Sequence, residues 1–307
     1  MPDRRSATAA GVLIGLAVAG GLAYGVASLL GSGGDDASSP TSAAVHLPHA
    51  THRPHRATPS AQPQFQAEPV YYLGDGPRGP VLFSQSVIVL PGVSRLDTAV
   101  NGLQEKPELA AHRTEWKPGW ITGASRHGDL IDVAVDAAPS ALPSGMEQQT
   151  AVQSVQQVVY TMQAASGSHD RIRFTRNGKP TSSVLGVPTG GPVAAAPVIR
   201  TESLVSIEEP EVGGSILSRG PVPVSGLADT AHGQVEVRLE RGGRVVRAKA
   251  GHTAGTGDLG RLSPWKVVID TTGLPNGHYL IVASGPDPTD PSVTAVDQRP
   301  LFLAGHH

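Results

Sequence analysis

Residues able to do chemistry are few in this chain, and their spacing rarely suits a reaction. Ser263-Pro264-Trp265-Lys266 has the serine-x-x-lysine spacing in which lysine activates a serine nucleophile, provided a helix turns both side chains to one side. Trp265, Val267 and Ile269 alternate with other residues at the period of a strand, which sends Ser263 and Lys266 to opposite faces. Gly255-Thr256-Gly257-Asp258-Leu259-Gly260 fits the glycine pattern that holds a dinucleotide at a helix N-terminus. Arg261-Leu262-Ser263-Pro264 follows it and opens a strand, so a hairpin loop is expected instead. Asp129, Asp132 and Asp136 form the densest carboxylate group. A cation needs several oxygens converging, whereas the odd spacing of Asp129 and Asp132 on a strand turns them apart and predicts a solvated hairpin edge.

His46, His49, His52 and His55 recur every third residue in a Pro-rich stretch. In a polyproline II conformation all four share one face, where zinc, copper or a pH-dependent contact could be held; the competing reading is a plain spacer. His112, His127, His169, His232, His252 and His278 fall in expected loops, and nothing in their spacing selects a Ser/His/Asp set. Trp116 and Trp120 bracket Pro118-Gly119 and form either an interaction patch for a sugar or a protein partner, or a plug for the end of the fold. No catalytic residue and no cofactor is therefore expected. The chain has no cysteine, which excludes disulfides, thiolate metal sites, cysteine nucleophiles and a lipidated N-terminal cysteine.

The elements that would position these residues begin with an apolar, uncharged run from Ala7 to Leu30 preceded by Arg4 and Arg5. Its length at about 1.5 Å per residue spans the ~30 Å hydrocarbon core of a bilayer. The flanking arginines predict a cytoplasmic N-terminus over residues 1–6 and extracytoplasmic chain thereafter. A signal peptide cleaved near Val26-Ala27-Ser28, leaving a secreted protein, is the alternative. Gly11, Gly15, Ala17, Gly21 and Gly25 give small-residue spacings compatible with helix pairing in the membrane, hence with self-association. Residues 31–68, rich in Pro, His, Ser and Thr, predict a disordered linker.

Residues 69–186 mix strands and helices. Val70–Leu73 and Val81–Leu90 read as strands around a Gly/Pro turn. A helix from Ser94 places Leu96, Ala99, Val100 and Leu103 on one face, with Ser94 and Asp97 at capping spacing. Ile121–Ala124 and Asp129–Val135 predict a hairpin. Ser144 and Glu147 predict a capping box for a long helix, with Ala151, Val152, Val155, Val158, Val159 and Met162 inward and Gln148, Gln149, Gln153, Gln156 and Gln157 opposite. Arg171–Thr175 closes the set as a strand turned by Asn177-Gly178. The fold class expected is an α/β sandwich. Residues 187–203 read as a second linker. Residues 204–304 show only alternating strands and turns, as in an all-β immunoglobulin-like sandwich, with 305–307 as a tail. A net charge of −2 gives no ground for a nucleic-acid partner.

Both predicted domains resemble known modules of bacterial envelope proteins. Val70-Tyr71-Tyr72-Leu73, Pro118-Gly119, Gly128-Asp129-Leu130-Ile131-Asp132-Val133, Gln157-Val158-Val159-Tyr160-Thr161, Ile172-Arg173-Phe174 and Asn177-Gly178 make residues 69–186 similar to the GerMN domain of spore-germination, sporulation and actinobacterial envelope proteins. Glu105-Lys106-Pro107 stands where that family usually has Gly-Pro. Glu209-Pro210, Gly213-Gly214, Pro223-Val224-Ser225-Gly226, Ala228 and the strand at Val235 make residues 204–303 similar to Gmad2, its immunoglobulin-like companion. The resemblance implies a non-enzymatic, membrane-anchored envelope protein that works through protein–protein contacts in envelope assembly, signalling, sporulation or germination. It also implies a capacity for self-association. The alternative is a module that binds peptidoglycan or another envelope polysaccharide; a third is an envelope hydrolase with an unrecognised site.

Overall fold

A computed structural model of the chain describes residues 66–211, 215–216, 220–255 and 259–304. The Ala7–Leu30 segment, the four spacer histidines and Gly213-Gly214 lie outside the described residues. Among the described residues no helix is long and apolar enough to cross a membrane. The described chain is mostly β with few helices.

The first half opens with an antiparallel hairpin, β1 (Ala67–Gly76) and β2 (Gly79–Ile88). Helix α1 (Arg95–Gln104) follows, started as expected by Ser94, whose Oγ accepts the Asp97 N–H at 3.0 Å. Strands β3 (Gly123–His127) and β4 (Leu130–Ala134) pair antiparallel, and β5 (Arg171–Arg176) lies parallel to β4. A parallel neighbour requires a crossover, and helix α2 (Gln148–Ser166) supplies it. Asn177 and Gly178, both at positive φ, turn β5 into the short β6 (Lys179–Pro180), the geometry that Asn-Gly favours. Val70, Tyr72, Leu103, Ile131, Met162 and Phe174 meet in one core between hairpin, helices and sheet. Each such side chain contributes roughly 1.5–3 kcal/mol when fully buried.

Two details of α2 differ from expectation. The Ser144–Glu147 capping box does not form, because Pro143 to Met146 closes its own turn (Met146 N–H to Pro143 C=O, 3.1 Å) and Glu147 becomes the N-cap without a side-chain cap bond. The helix is also buried on its glutamine side: Gln153, Gln156 and Gln157 are buried, whereas Val152, expected inward, is 41% exposed.

The reason is the segment read as a linker. After β7 (Ser183–Val184) and β8 (Val187–Pro188), the chain lies down on the first half instead of running free. Val193 exchanges both backbone hydrogen bonds with Ile172 (2.8 and 2.7 Å), and Ala195 packs on the first core. Gln153 donates to the Arg200 carbonyl and Tyr160 to the Ala196 carbonyl. A short helix, α3 (Val198–Thr201), sends Ile199 onto the second core.

That second half is all-β. A strand pair, β10 (Pro221–Ala228) and β13 (Ser263–Asp270), covers a sheet ordered β12-β11-β14-β15-β9. Its members are β9 (Ser215–Ile216), β11 (Gln234–Arg241), β12 (Arg244–His252), β14 (Gly277–Pro286) and β15 (Thr294–Leu303). β13 alternates strictly, with Trp265, Val267 and Ile269 inward against Val224, Val237, Leu239 and Ile281. Gly226 is required here: a Cβ would stand 1.8 Å from the Ser206 carbonyl oxygen where the incoming chain crosses β10.

Candidate functional site at the Trp120 groove

The loop from Arg113 to Trp120 is fixed at both ends and in the middle. Arg113 exchanges backbone hydrogen bonds with Leu73 at 2.8 Å each, and Thr114 donates its hydroxyl to the Leu103 carbonyl at 2.7 Å. Trp116 is 1% exposed and its indole N–H donates to the Ser154 carbonyl at 2.9 Å. Pro118 and Gly119 (φ +80°) then make a tight turn closed by the Trp120 N–H on the Lys117 carbonyl at 3.0 Å; proline followed by a positive-φ glycine is what a type II turn demands. The same turn carries the Lys117 ammonium over the Trp120 ring, 5.3 Å from its centroid. The two tryptophans therefore do not make one patch. Trp116 is core, with its one polar atom paired to α2; Trp120 is half-buried and lines a groove.

That groove encloses about 630 Å³ between the loop, the β1–β2 turn and the start of α2. Trp120, Arg113, Lys117, Glu115, Asp75 and Glu147 line it, beside the hydroxyls of Ser144 and Thr150. Arg113 bridges Asp75 at 2.8 Å and Glu115 at 3.6 Å. These pairs are solvent-facing and add little stability; they gather donors and acceptors along one wall of the groove.

The other sequence candidates are engaged elsewhere and do not converge. Asp132 accepts both arms of the Arg173 guanidinium at 2.6 Å, across the parallel β4–β5 pair. Asp136 accepts the Asn177 N–H and the Thr122 hydroxyl, which hold its carboxyl below the usual range and pin the β5–β6 turn. Asp129 lies in a separate hollow with His169 and Asp170. Among the described residues no group of three His, Asp or Glu could hold a metal ion. Ser263 is buried and Lys266 exposed on alternate faces of β13. Residues 256–258 of the glycine stretch lie outside the described residues, and the chain after them enters β13, not a helix. His112 is buried, stacked on Phe83, with Nδ1 2.6 Å from the Gln85 amide nitrogen; burial and the nearby Arg299 push it down to about 4. His127 meets the Ser125 hydroxyl at 3.1 Å, and His278 tilts against Phe302.

Sequence reasoning missed the polar groups where the two halves meet. Arg78, in the β1–β2 turn, reaches Asp287 at 2.8 Å and the Thr289 hydroxyl at 3.2 Å in the β14–β15 loop. Glu202 pairs by backbone with Leu82, receives the Tyr71 hydroxyl, and is pushed up to about 7 by burial. Only the run of glutamines on α2 hinted that a polar helix face was to be covered.

Residues 204–292 are matched by the family model described as the immunoglobulin-like domain of bacterial spore germination, Gmad2. This stretch is a Gmad2 domain. Its close crossing at Gly226, the pairing of Glu209 with Ser225 and the inward Val235 are the resemblance seen in structure. The structure of the tandem GerMN domains of the sporulation protein GerM from Bacillus subtilis is similar at 13% identity, over 61% of this chain and 60% of that one, with a TM-score of 0.32. At that score the likeness carries no weight, and the chain spans less than two thirds of that relative's length. No curated protein matches the chain.

Proposed function

We propose that this protein is a membrane-anchored envelope protein of sporulation or germination type, which holds other proteins together and catalyses nothing. The observation that carries the reading is the Gmad2 match over residues 204–292. The GerMN resemblance of residues 69–186 supports it, since the residues that carry it have structural work here: Val70 and Tyr72 face the core, and Gln157 and Tyr160 hold neighbouring segments. The engagement of Asp132, Asp136 and His112 in internal bonds also favours binding over catalysis. The two halves are tied by a bound strap and the Arg78–Asp287 pair, which suits a rigid spacer presenting one continuous surface. In-cell photo-crosslinking from exposed positions such as Val268 and Val245 tests this. Discrete protein partners are expected; recovery of none, together with hydrolysis of a cell-wall substrate by the purified chain, overturns it.

A further inference from the structure

The geometry of the Trp120 groove points to a second binding function: we infer that it takes an uncharged saccharide, stacked on the indole and hydrogen-bonded by the Arg113–Asp75–Glu115 array. This goes beyond protein partnering and rests on the groove alone. A sugar ring is recognised by a flat aromatic surface for its C–H face and by fixed forked groups for its hydroxyls, in a largely preformed cleft. The groove has each part. Trp120 is half-buried against the core, so its ring is held; Lys117, on a flexible stem, lies over it at 5.3 Å and swings aside for a sugar ring to stack. The guanidinium of Arg113 is oriented by Asp75 and Glu115, and all three side chains line the same space. Ser144 and Thr150 add neutral hydroxyls from the opposite wall.

Charge decides the class of ligand. Two cations, Arg113 and Lys117, face three carboxylates, Asp75, Glu115 and Glu147, and Arg113 is already shared between two of them. Lys117 rests over Trp120. An anionic polymer would meet the carboxylates, and a charged peptide would have to break existing pairs in open solvent. A neutral polyhydroxylated ring can bond to paired groups without separating them, since each retains free lone pairs or N–H groups.

The test uses the full-length purified chain and its own fluorescence. Of the three tryptophans, Trp116 and Trp265 are 1% and 2% exposed, so emission that responds to a soluble ligand reports Trp120. The probes are the tetramer of N-acetylglucosamine, a neutral glucan oligomer, polygalacturonate, and a peptide carrying Lys and Glu. A saturable change with a neutral saccharide, weaker or absent with the charged probes, is expected. By isothermal titration calorimetry, which does not depend on the indole, Trp120→Phe should weaken affinity a few-fold and Arg113→Gln about tenfold, consistent with losing part of one stacking contact or one charge-assisted hydrogen-bond set. Arg113 is partly exposed, and its variant should keep the wild-type unfolding midpoint within a small margin. Binding of neither neutral saccharide at millimolar concentration, tighter binding of a charged probe, or saccharide affinity unchanged in both variants overturns the inference.

Discussion

Gln156 accepts the Ala196 N–H at 2.8 Å with its side-chain oxygen and donates to the Ala194 carbonyl at 3.3 Å with its nitrogen. One buried amide thus reads the backbone of a passing segment as a strand partner would. With Tyr160 on the Ala196 carbonyl and Gln153 on the Arg200 carbonyl, it converts residues 193–200 from a tether into a bound strap.

Replacing Gln156 by Leu should destabilise the chain by about 1–3 kcal/mol, the cost of leaving poorly solvated backbone groups unpaired. Urea unfolding measures it. Limited proteolysis should gain a cut within 190–200 in the variant that the parent resists.

Truncation at the strap follows from the same contacts. A fragment 66–187 lacks Val193, the backbone partner of Ile172, and uncovers Gln156 and Tyr160. It should unfold at a lower urea concentration than a fragment 66–203. Equal midpoints would show that the strap adds nothing.

Arg78→Ala leaves Asp287, whose side chain is 3% exposed, without its cation, although Thr289 and Asp290 still donate to the other carboxylate oxygen. Arg78 itself is about half-exposed. The expected loss is therefore of the order of 1–2 kcal/mol, below that of a fully buried pair. A double-mutant cycle with Asp287→Asn should return a coupling of the same sign.

Glu202 and His112 set opposite pH limits. The folded state raises Glu202 to about 7 from 4.5, so its contribution is whole below about 4.5 and is lost as pH rises through 7. Folding lowers His112 from 6.5 to about 4, so stability is lost as pH falls from 6.5 through 4. Unfolding midpoints measured from pH 4 to 8 should fall at both ends. The two windows overlap between about 4.5 and 6.5 and oppose each other there. Glu202→Gln should therefore remove the loss above pH 6.5 and expose the His112 loss over the whole fall from 6.5 to 4. His112→Gln should remove the acid-side loss and expose the Glu202 loss from 4.5 to 7.

Gly226→Ala should be among the most damaging single changes in the Gmad2 domain. The added carbon would sit 1.8 Å from backbone, which cannot yield without separating residues 205–209 from β10. A loss of several kcal/mol is expected, at the steep end of point substitutions, read as a lowered melting temperature or insoluble product.

Much of the architecture is written locally. The period of Trp265, Val267 and Ile269, the Ser94 cap, the Asn177-Gly178 turn and the Pro118-Gly119 turn each depend on residues a few positions apart, so composition and spacing alone define them. Those signals also told strand from helix at Ser263 to Lys266 and so removed a catalytic reading. What covers a face is different, because it depends on partners distant in sequence. The glutamines of α2 look solvent-facing until the strap arrives some 40 residues later in the chain. Trp116 and Trp120 look equivalent until α2 offers the Ser154 carbonyl to only one of them. The groove exists because the β1–β2 turn, the tryptophan loop and the start of α2 meet there. Local sequence fixes backbone conformation through sterics and short-range hydrogen bonds, whereas burial and the pairing of charges are settled by long-range packing.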